Sequence, residues 1–237
     1  MTRYTALGVS SRAWHDGRMN FFGITWHSLS FALGFVLAWQ GAEWVAKKLQ
    51  APFERILPLF GLAFIASLLG ARALFVVMYP ETWSTVFEAL SFWQGGLVSY
   101  GGLVVGAAVI LGGIAREKKD YRPALLQAAL TGLLAAWGLG RIGNYLTGDV
   151  IGVVPVALLE TAVCWVLAAY LIWQAWRERA LTYWQIWAVA GCWFLGRVVI
   201  DLYRTYDTTV PATTAAGVVA LLCFSSSFYL WISRKKS

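Results

Sequence analysis

Long apolar runs alternate with short polar intervals along this chain, and the runs are long enough to set its architecture. Seven blocks stand out, at about 26–46, 57–79, 95–115, 124–146, 151–173, 182–203 and 211–232. Each approaches the roughly 20 residues that an α-helix needs to cross the hydrocarbon layer of a bilayer. Helices that are apolar all round show little 3.6-residue period, so length and flanking charge carry the prediction. The expected fold is all-α: a polytopic membrane protein of about seven transmembrane helices. Residues 1–237 read as a single transmembrane domain, with no repeat, linker or second domain. Residues 1–22 are mixed and polar, with Trp14, Phe21 and Phe22 among them. They read as an extracytoplasmic segment that lies along the interface or forms a loose tail. No cleavable signal peptide is visible, because the first long apolar run begins only near Trp26.

The polar intervals orient the blocks. Lys47, Lys48 and Arg55 follow the first block, and Arg116, Lys118, Lys119 and Arg122 follow the third. Arg177 and Arg179 follow the fifth, and Arg234, Lys235 and Lys236 the seventh. The alternate intervals 80–94 and 146–150 carry no Lys or Arg; only Arg3, Arg12, Arg18 and Arg204 dilute the asymmetry. Basic residues collect on the cytoplasmic side of membrane proteins. The N-terminus is therefore expected outside and the C-terminus inside.

Composition agrees with this picture: 59% of the 237 residues are hydrophobic and 13% charged. A soluble domain averages about 25% charged residues. The net charge of +7 does not point to nucleic acid, since the basic residues sit in short clusters at block ends. Many of the 14 tryptophans lie near those ends, where amphipathic rings favour the interface. Cys164, Cys192 and Cys223 fall inside apolar blocks without metal-ligand spacing and read as small buried hydrophobes. No metal and no cofactor is expected.

Removing the topological charges leaves Arg72, Arg141, Arg197, Arg204, Asp149, Glu160 and Asp201 inside or at the edges of the blocks. A charge at a span's centre costs about 2.5–3.5 kcal/mol on the insertion scale, so such residues pair, reach a wet cavity or hold a ligand. Four guanidiniums face three carboxylates, and guanidinium suits bidentate contact with phosphate. The set therefore fits a lipid phosphate. Purely structural pairing is the alternative, above all for Arg72 and for Arg197 and Asp201, which are spaced i,i+4. Two glycine-rich stretches accompany the charges: Gly95–Gly102, followed by Gly106, and Gly138–Asn144, continuing to Asp149. Gly102 and Gly106 have the spacing of a close helix contact. Together with the charges, the two stretches outline a polar pocket open towards the outer leaflet.

At these residues the chain resembles a known family. The run GLGRIGNYLTGD is similar to the GRxGNFxNGE signature of bacterial prolipoprotein diacylglyceryl transferases, and WQGGLVSYGGLVVG to their GGxxxHGGLxGG element. The order of the elements, the topology and Gly196-Arg197…Asp201-Leu202-Tyr203-Arg204 in the sixth block also match. The resemblance implies transfer of the diacylglyceryl group of phosphatidylglycerol, or another anionic phospholipid, to a thiol, with glycerol phosphate leaving. It assigns Arg141 and Arg197 to the phosphate. Asn144, Asp149, Asp201, Arg204, Glu160 and Arg72 are then expected to bind the substrate. Departures from the pattern are specific. Tyr100 stands where the family has histidine, Asp149 and Asp201 replace glutamates, and Thr147 replaces asparagine. His27 aligns with an early tyrosine, and Pro155 and Glu160 are what remains of HPSQLYE. The interval between the signature and that element has room for a short turn only, with no counterpart of the family's outer head domain. Tyr100 and His27 are the candidates for handling the proton, with Arg141 and Arg197 the other catalytic candidates.

Three function classes remain at this point. The first is a phosphatidylglycerol-dependent transferase, moving diacylglyceryl or phosphoglycerol to an unidentified protein or glycan acceptor. The second is a non-catalytic subunit that binds phospholipid or a partner. The third is a lipid transporter, against which the charges gather towards the outer half.

Overall fold

The computed structural model describes residues 19–21, 24–80, 83–90, 98–147, 155–203 and 210–236. The architecture is helical. It comprises α1 (Trp26–Lys48), α2 (Phe53–Met78), α3 (Val86–Leu90), α4 (Ser99–Ile114), α5 (Arg122–Thr147), α6 (Val156–Trp176), α7 (Tyr183–Asp201) and α8 (Val210–Lys236). Five helices are long and apolar enough to cross a membrane, within residues 29–48, 53–78, 122–146, 156–176 and 216–233, and Ser99–Ile114 is a shorter apolar helix.

Each apolar block coincides with a helix, with ends set by local chemistry. Pro155 precedes α6 at its N-cap, where a missing N–H costs nothing. Gln185 accepts hydrogen bonds from the Thr182 N–H and hydroxyl at 2.9 and 2.8 Å, fixing the entry to α7. Gln50 and Glu178 take positive φ, 54° and 55°, just beyond α1 and α6. There the Ala51 and Arg179 N–H groups return to the Ala46 and Gln174 carbonyls at 2.9 and 3.0 Å, closing the last turns. Two features lie outside the block pattern. A short antiparallel ribbon pairs β1 (Met19–Phe21) with β2 (Ile24–Thr25) ahead of α1. The other is α3, too short to register as an apolar period.

The helices pack in pairs: α1 along α5, α2 along α4, α5 along α6 and α7 along α8. Glycine permits the closest approaches. A Cβ on Gly101 would meet the Gly70 carbonyl oxygen, and one on Gly102 would lie 2.9 Å from the Ser67 carbonyl oxygen, so the glycine stretch of α4 is the seam with α2. A Cβ on Gly132 would likewise meet the Ala38 carbonyl, where α5 crosses α1.

Exposure is inverted relative to a water-soluble protein. Leu69, Val77, Val104, Val166 and Leu221 are exposed, while Gln127, Thr131, Arg141, Glu160, Arg197 and Asp201 are buried. Apolar surface on this scale needs an apolar solvent, as expected of a multi-pass membrane protein.

The two ends of the bundle differ. One carries the basic residues that follow α1, α4 and α6, with exposed pairs Lys47–Glu43 and Arg55–Glu117 at 2.5 and 3.3 Å. Near that end Gln127, fully buried, donates to the Leu171 carbonyl at 3.0 Å and accepts from the Leu181 N–H at 2.8 Å. One side chain of α5 thus ties down α6 and the turn into α7. The opposite end gathers the buried charges.

Candidate functional site

Four helices bring the site together. Arg141 lies in the C-terminal third of α5, Glu160 in the second turn of α6, Arg197 and Asp201 at the end of α7, and Tyr100 in the first turn of α4. The ends meet because successive helices run back along one another. Small residues allow the approach. A Cβ on Gly138 would strike the Trp165 indole, and the Thr161 hydroxyl donates to the Gly138 carbonyl at 2.9 Å, pinning α6 to α5 one turn before Arg141.

Glu160 is the hub. It is 1% exposed, and its two oxygens take different partners. Oε2 lies 3.0 Å from Arg141 Nε, and Oε1 accepts from Arg197 Nη1 at 2.5 Å. The Trp137 indole N–H donates to the same Oε1 at 2.7 Å. Arg197 Nε is also 3.6 Å from Asp201 Oδ2, on the next turn of its own helix. Both guanidiniums lie over aromatic faces: Arg141 over Trp137 at 5.1 Å, and Arg197 over Trp137 at 5.9 Å and Tyr100 at 5.6 Å. These separations fall within cation–π range.

The electrostatics follow from burial. A lone buried ion carries a desolvation penalty of several kcal/mol, which only close partners offset. Among the described residues, two guanidiniums and two carboxylates balance here. Of the other charges in the surplus expected from sequence, Arg72 stands elsewhere. Arg72 is engaged at α3, where its Nε donates to the Ala89 carbonyl at 2.7 Å, Nη2 donates to the Glu88 carbonyl, and Cζ lies 5.0 Å from the Phe75 ring. Asp149 and Arg204 lie outside the described residues, as does the His27 side chain, although His27 itself belongs to the first turn of α1. Asn144 is half-buried, three residues beyond Arg141 and so on a neighbouring face of α5.

Of the expected site residues, the structure gathers Arg141, Arg197, Glu160, Asp201 and Tyr100. Trp137 joins them, a residue that the pattern of charges does not mark. Its signal in the sequence is position: a tryptophan in mid-helix, four residues before Arg141, stands apart from tryptophans at block ends.

Chemically, the arrangement is a pair of buried guanidiniums held side by side on one carboxylate. It is suited to an anion that makes several hydrogen bonds, phosphate above all. Among the described residues no group of His, Cys, Asp or Glu has the geometry of a metal site.

Comparison with known proteins shows the family. Residues 18–233 match the family model described as prolipoprotein diacylglyceryl transferase. The chain is 28% identical over 214 residues to the phosphatidylglycerol–prolipoprotein diacylglyceryl transferase of Streptococcus agalactiae serotype Ia, covering 90% of this chain and 78% of the relative. It is 28% identical over 244 residues to the protein of the same description from Streptococcus pyogenes serotype M3, covering 90% and 92%. A Clostridium perfringens relative of that description is 30% identical over 131 residues, covering 55% and 50%.

Proposed function

The chain belongs to the prolipoprotein diacylglyceryl transferase family, and we propose that it moves the diacylglyceryl group of phosphatidylglycerol to the cysteine thiol of a prolipoprotein or similar acceptor at the outer face of the cytoplasmic membrane. The observation that carries this reading is the meeting of Arg141 and Arg197 on Glu160, at the bundle end opposite the basic clusters. With basic residues on the cytoplasmic side, that end faces the outer leaflet.

The reaction forms a C–S bond to the glyceryl carbon and breaks that carbon's C–O bond to the phosphate oxygen. Glycerol phosphate leaves with the electron pair, and the thiol loses its proton. Charge develops on the departing phosphate, so fixed guanidiniums in a dry site stabilise the transition state more than the bound lipid. Arg141 and Arg197 take that role. Glu160 holds them in register, and Asn144, Asp149, Asp201 and Arg204 orient the headgroup. A phosphate ester departs as an anion without a general acid. Only the thiol, with an ordinary pKa near 8.5, must be deprotonated. Guanidiniums nearby favour its thiolate. A modest proton acceptor then suffices: the His27 imidazole can take the proton in place of the family's histidine, while Tyr100, a neutral phenol near pH 7, can relay a proton but not hold it.

The test is product analysis in phosphatidylglycerol nanodiscs, with isotope in both the headgroup and the acyl chains and a thiol peptide as acceptor. Acyl label on the peptide with released glycerol phosphate, dependent on Arg141, supports the reading. Headgroup label on another acceptor makes the enzyme a phosphoglycerol transferase, and absence of Arg141-dependent turnover overturns the reading.

A further inference from the structure

We infer that Trp137 is a positioning residue: its indole face and its N–H together set how Arg141 and Arg197 are presented to the donor phosphate. The inference rests on the reading of those arginines as the phosphate-binding pair.

Two guanidiniums drawn onto one carboxylate repel each other, and a carboxylate alone can rotate to favour either. Trp137 opposes both tendencies. The negative face of its ring lies against both cations, 5.1 Å from Arg141 Cζ and 5.9 Å from Arg197 Cζ. Its N–H holds Glu160 Oε1 at 2.7 Å, on the oxygen that also takes Arg197, which leaves Oε2 directed at Arg141. The ring is itself backed: Trp193, 3% exposed, packs edge-on against it with centroids 5.2 Å apart and an interplanar angle of 78°. An indole packed against a buried neighbour resists turning when a ligand competes for the guanidiniums. Each guanidinium meets Glu160 through one nitrogen, Arg141 by Nε and Arg197 by Nη1, and a guanidinium carries further N–H donors suited to in-plane contact with phosphate. Part of the orientation of the pair is therefore set before substrate arrives, which lowers the ordering needed on binding.

The ring face and the N–H separate experimentally. Trp137→Phe keeps an aromatic face and deletes the donor, whereas Trp137→Leu removes both. Transfer is measured in nanodiscs over a range of phosphatidylglycerol mole fractions diluted in phosphatidylcholine, with Arg141→Ala alongside. Trp137→Leu is expected to raise the donor KM about tenfold and to lower kcat as well, since the same guanidiniums hold the bound and the departing phosphate, and Trp137→Phe to recover part of both losses. A merely structural role lowers the amount of active enzyme and leaves KM alone. Unchanged KM in both variants, or a fall in kcat alone, overturns the inference. Should Trp137→Leu fail to fold, Trp137→Phe decides: a donor KM raised about threefold supports the role, and a wild-type KM refutes it. Wild-type turnover by Arg141→Ala would instead remove the phosphate-binding reading, whatever Trp137 does.

Discussion

Arg141 and Arg197 reach opposite oxygens of one buried carboxylate, Arg141 by Nε at 3.0 Å from Oε2 and Arg197 by Nη1 at 2.5 Å from Oε1 of Glu160. The pair therefore depends on a third residue on a third helix. Glu160→Gln removes the counter-charge while keeping the shape, leaving two buried cations with less compensation. Removing one partner of a buried ion pair costs about 3–5 kcal/mol. The variant is expected to unfold at markedly lower temperature in a detergent-based thermal assay. Loss of transfer activity is expected even where folded protein is recovered, because the guanidiniums are no longer held in register.

The glycines divide into seam and site. Gly101→Ala would press a methyl group onto the Gly70 carbonyl oxygen, which is backbone and cannot move aside. It should destabilise by about 1–3 kcal/mol, as overpacking does. Nothing lies within 4 Å of a Cβ added at Gly140, immediately before Arg141. Gly140→Ala should keep or slightly raise thermal stability, since alanine favours a helix by about 0.5–1 kcal/mol over glycine. Thermal unfolding of the two single variants checks both expectations.

Glu88 makes the segment around α3 sensitive to pH. Its carboxylate accepts from the Ser84 N–H at 2.8 Å and the Ser84 hydroxyl at 2.9 Å, and these bonds hold its pKa below the ordinary glutamate value. A depressed pKa contributes stability above the unfolded-state value, and that contribution is lost as pH falls through the folded-state value. Acidification below the normal glutamate range should therefore lower the protection of amides across residues 83–90 relative to their intrinsic exchange rates at the same pH. Glu88→Gln should abolish that pH dependence. Arg72→Gln should raise exchange in the same segment at neutral pH, because the Arg72 guanidinium holds the carbonyls of Glu88 and Ala89.

Gln127 tests whether the two ends of the bundle are separable. It satisfies the Leu171 carbonyl and the Leu181 N–H in a fully buried position. Gln127→Leu leaves both without this partner, at about 1–3 kcal/mol. The expected result is a lower unfolding temperature with the donor KM unchanged, measured on the same preparation.

What the sequence reveals and what it conceals follow one physical rule. A charge in an apolar block is conspicuous because the membrane makes it costly, and so Arg141, Glu160, Arg197 and Asp201 stand out in the sequence alone. That cost says a partner exists without saying which one. Arg72 falls among the phosphate candidates on that ground, yet it holds carbonyls at α3. Neutral polar groups give a weaker signal, which is why Trp137 and Gln127, each tying helices together, do not stand out in the same way. Apolar blocks mark helices well because their length is dictated by bilayer thickness. The five-residue α3 has no such length. It is held by the Ser84–Glu88 contacts and by Arg72, tertiary features that no local pattern displays.

The most direct test of the central claim, that Arg141 and Arg197 act together on the donor phosphate, is a double-variant cycle on single-turnover transfer in phosphatidylglycerol nanodiscs. Arg141→Lys, Arg197→Lys and the double variant each keep positive charge but lose the planar fork. If the two guanidiniums serve one phosphate, each single variant should slow transfer by about a hundredfold or more, and the double should be little slower than either. Losses that multiply, or a single variant that transfers at the wild-type rate, would contradict a shared phosphate site.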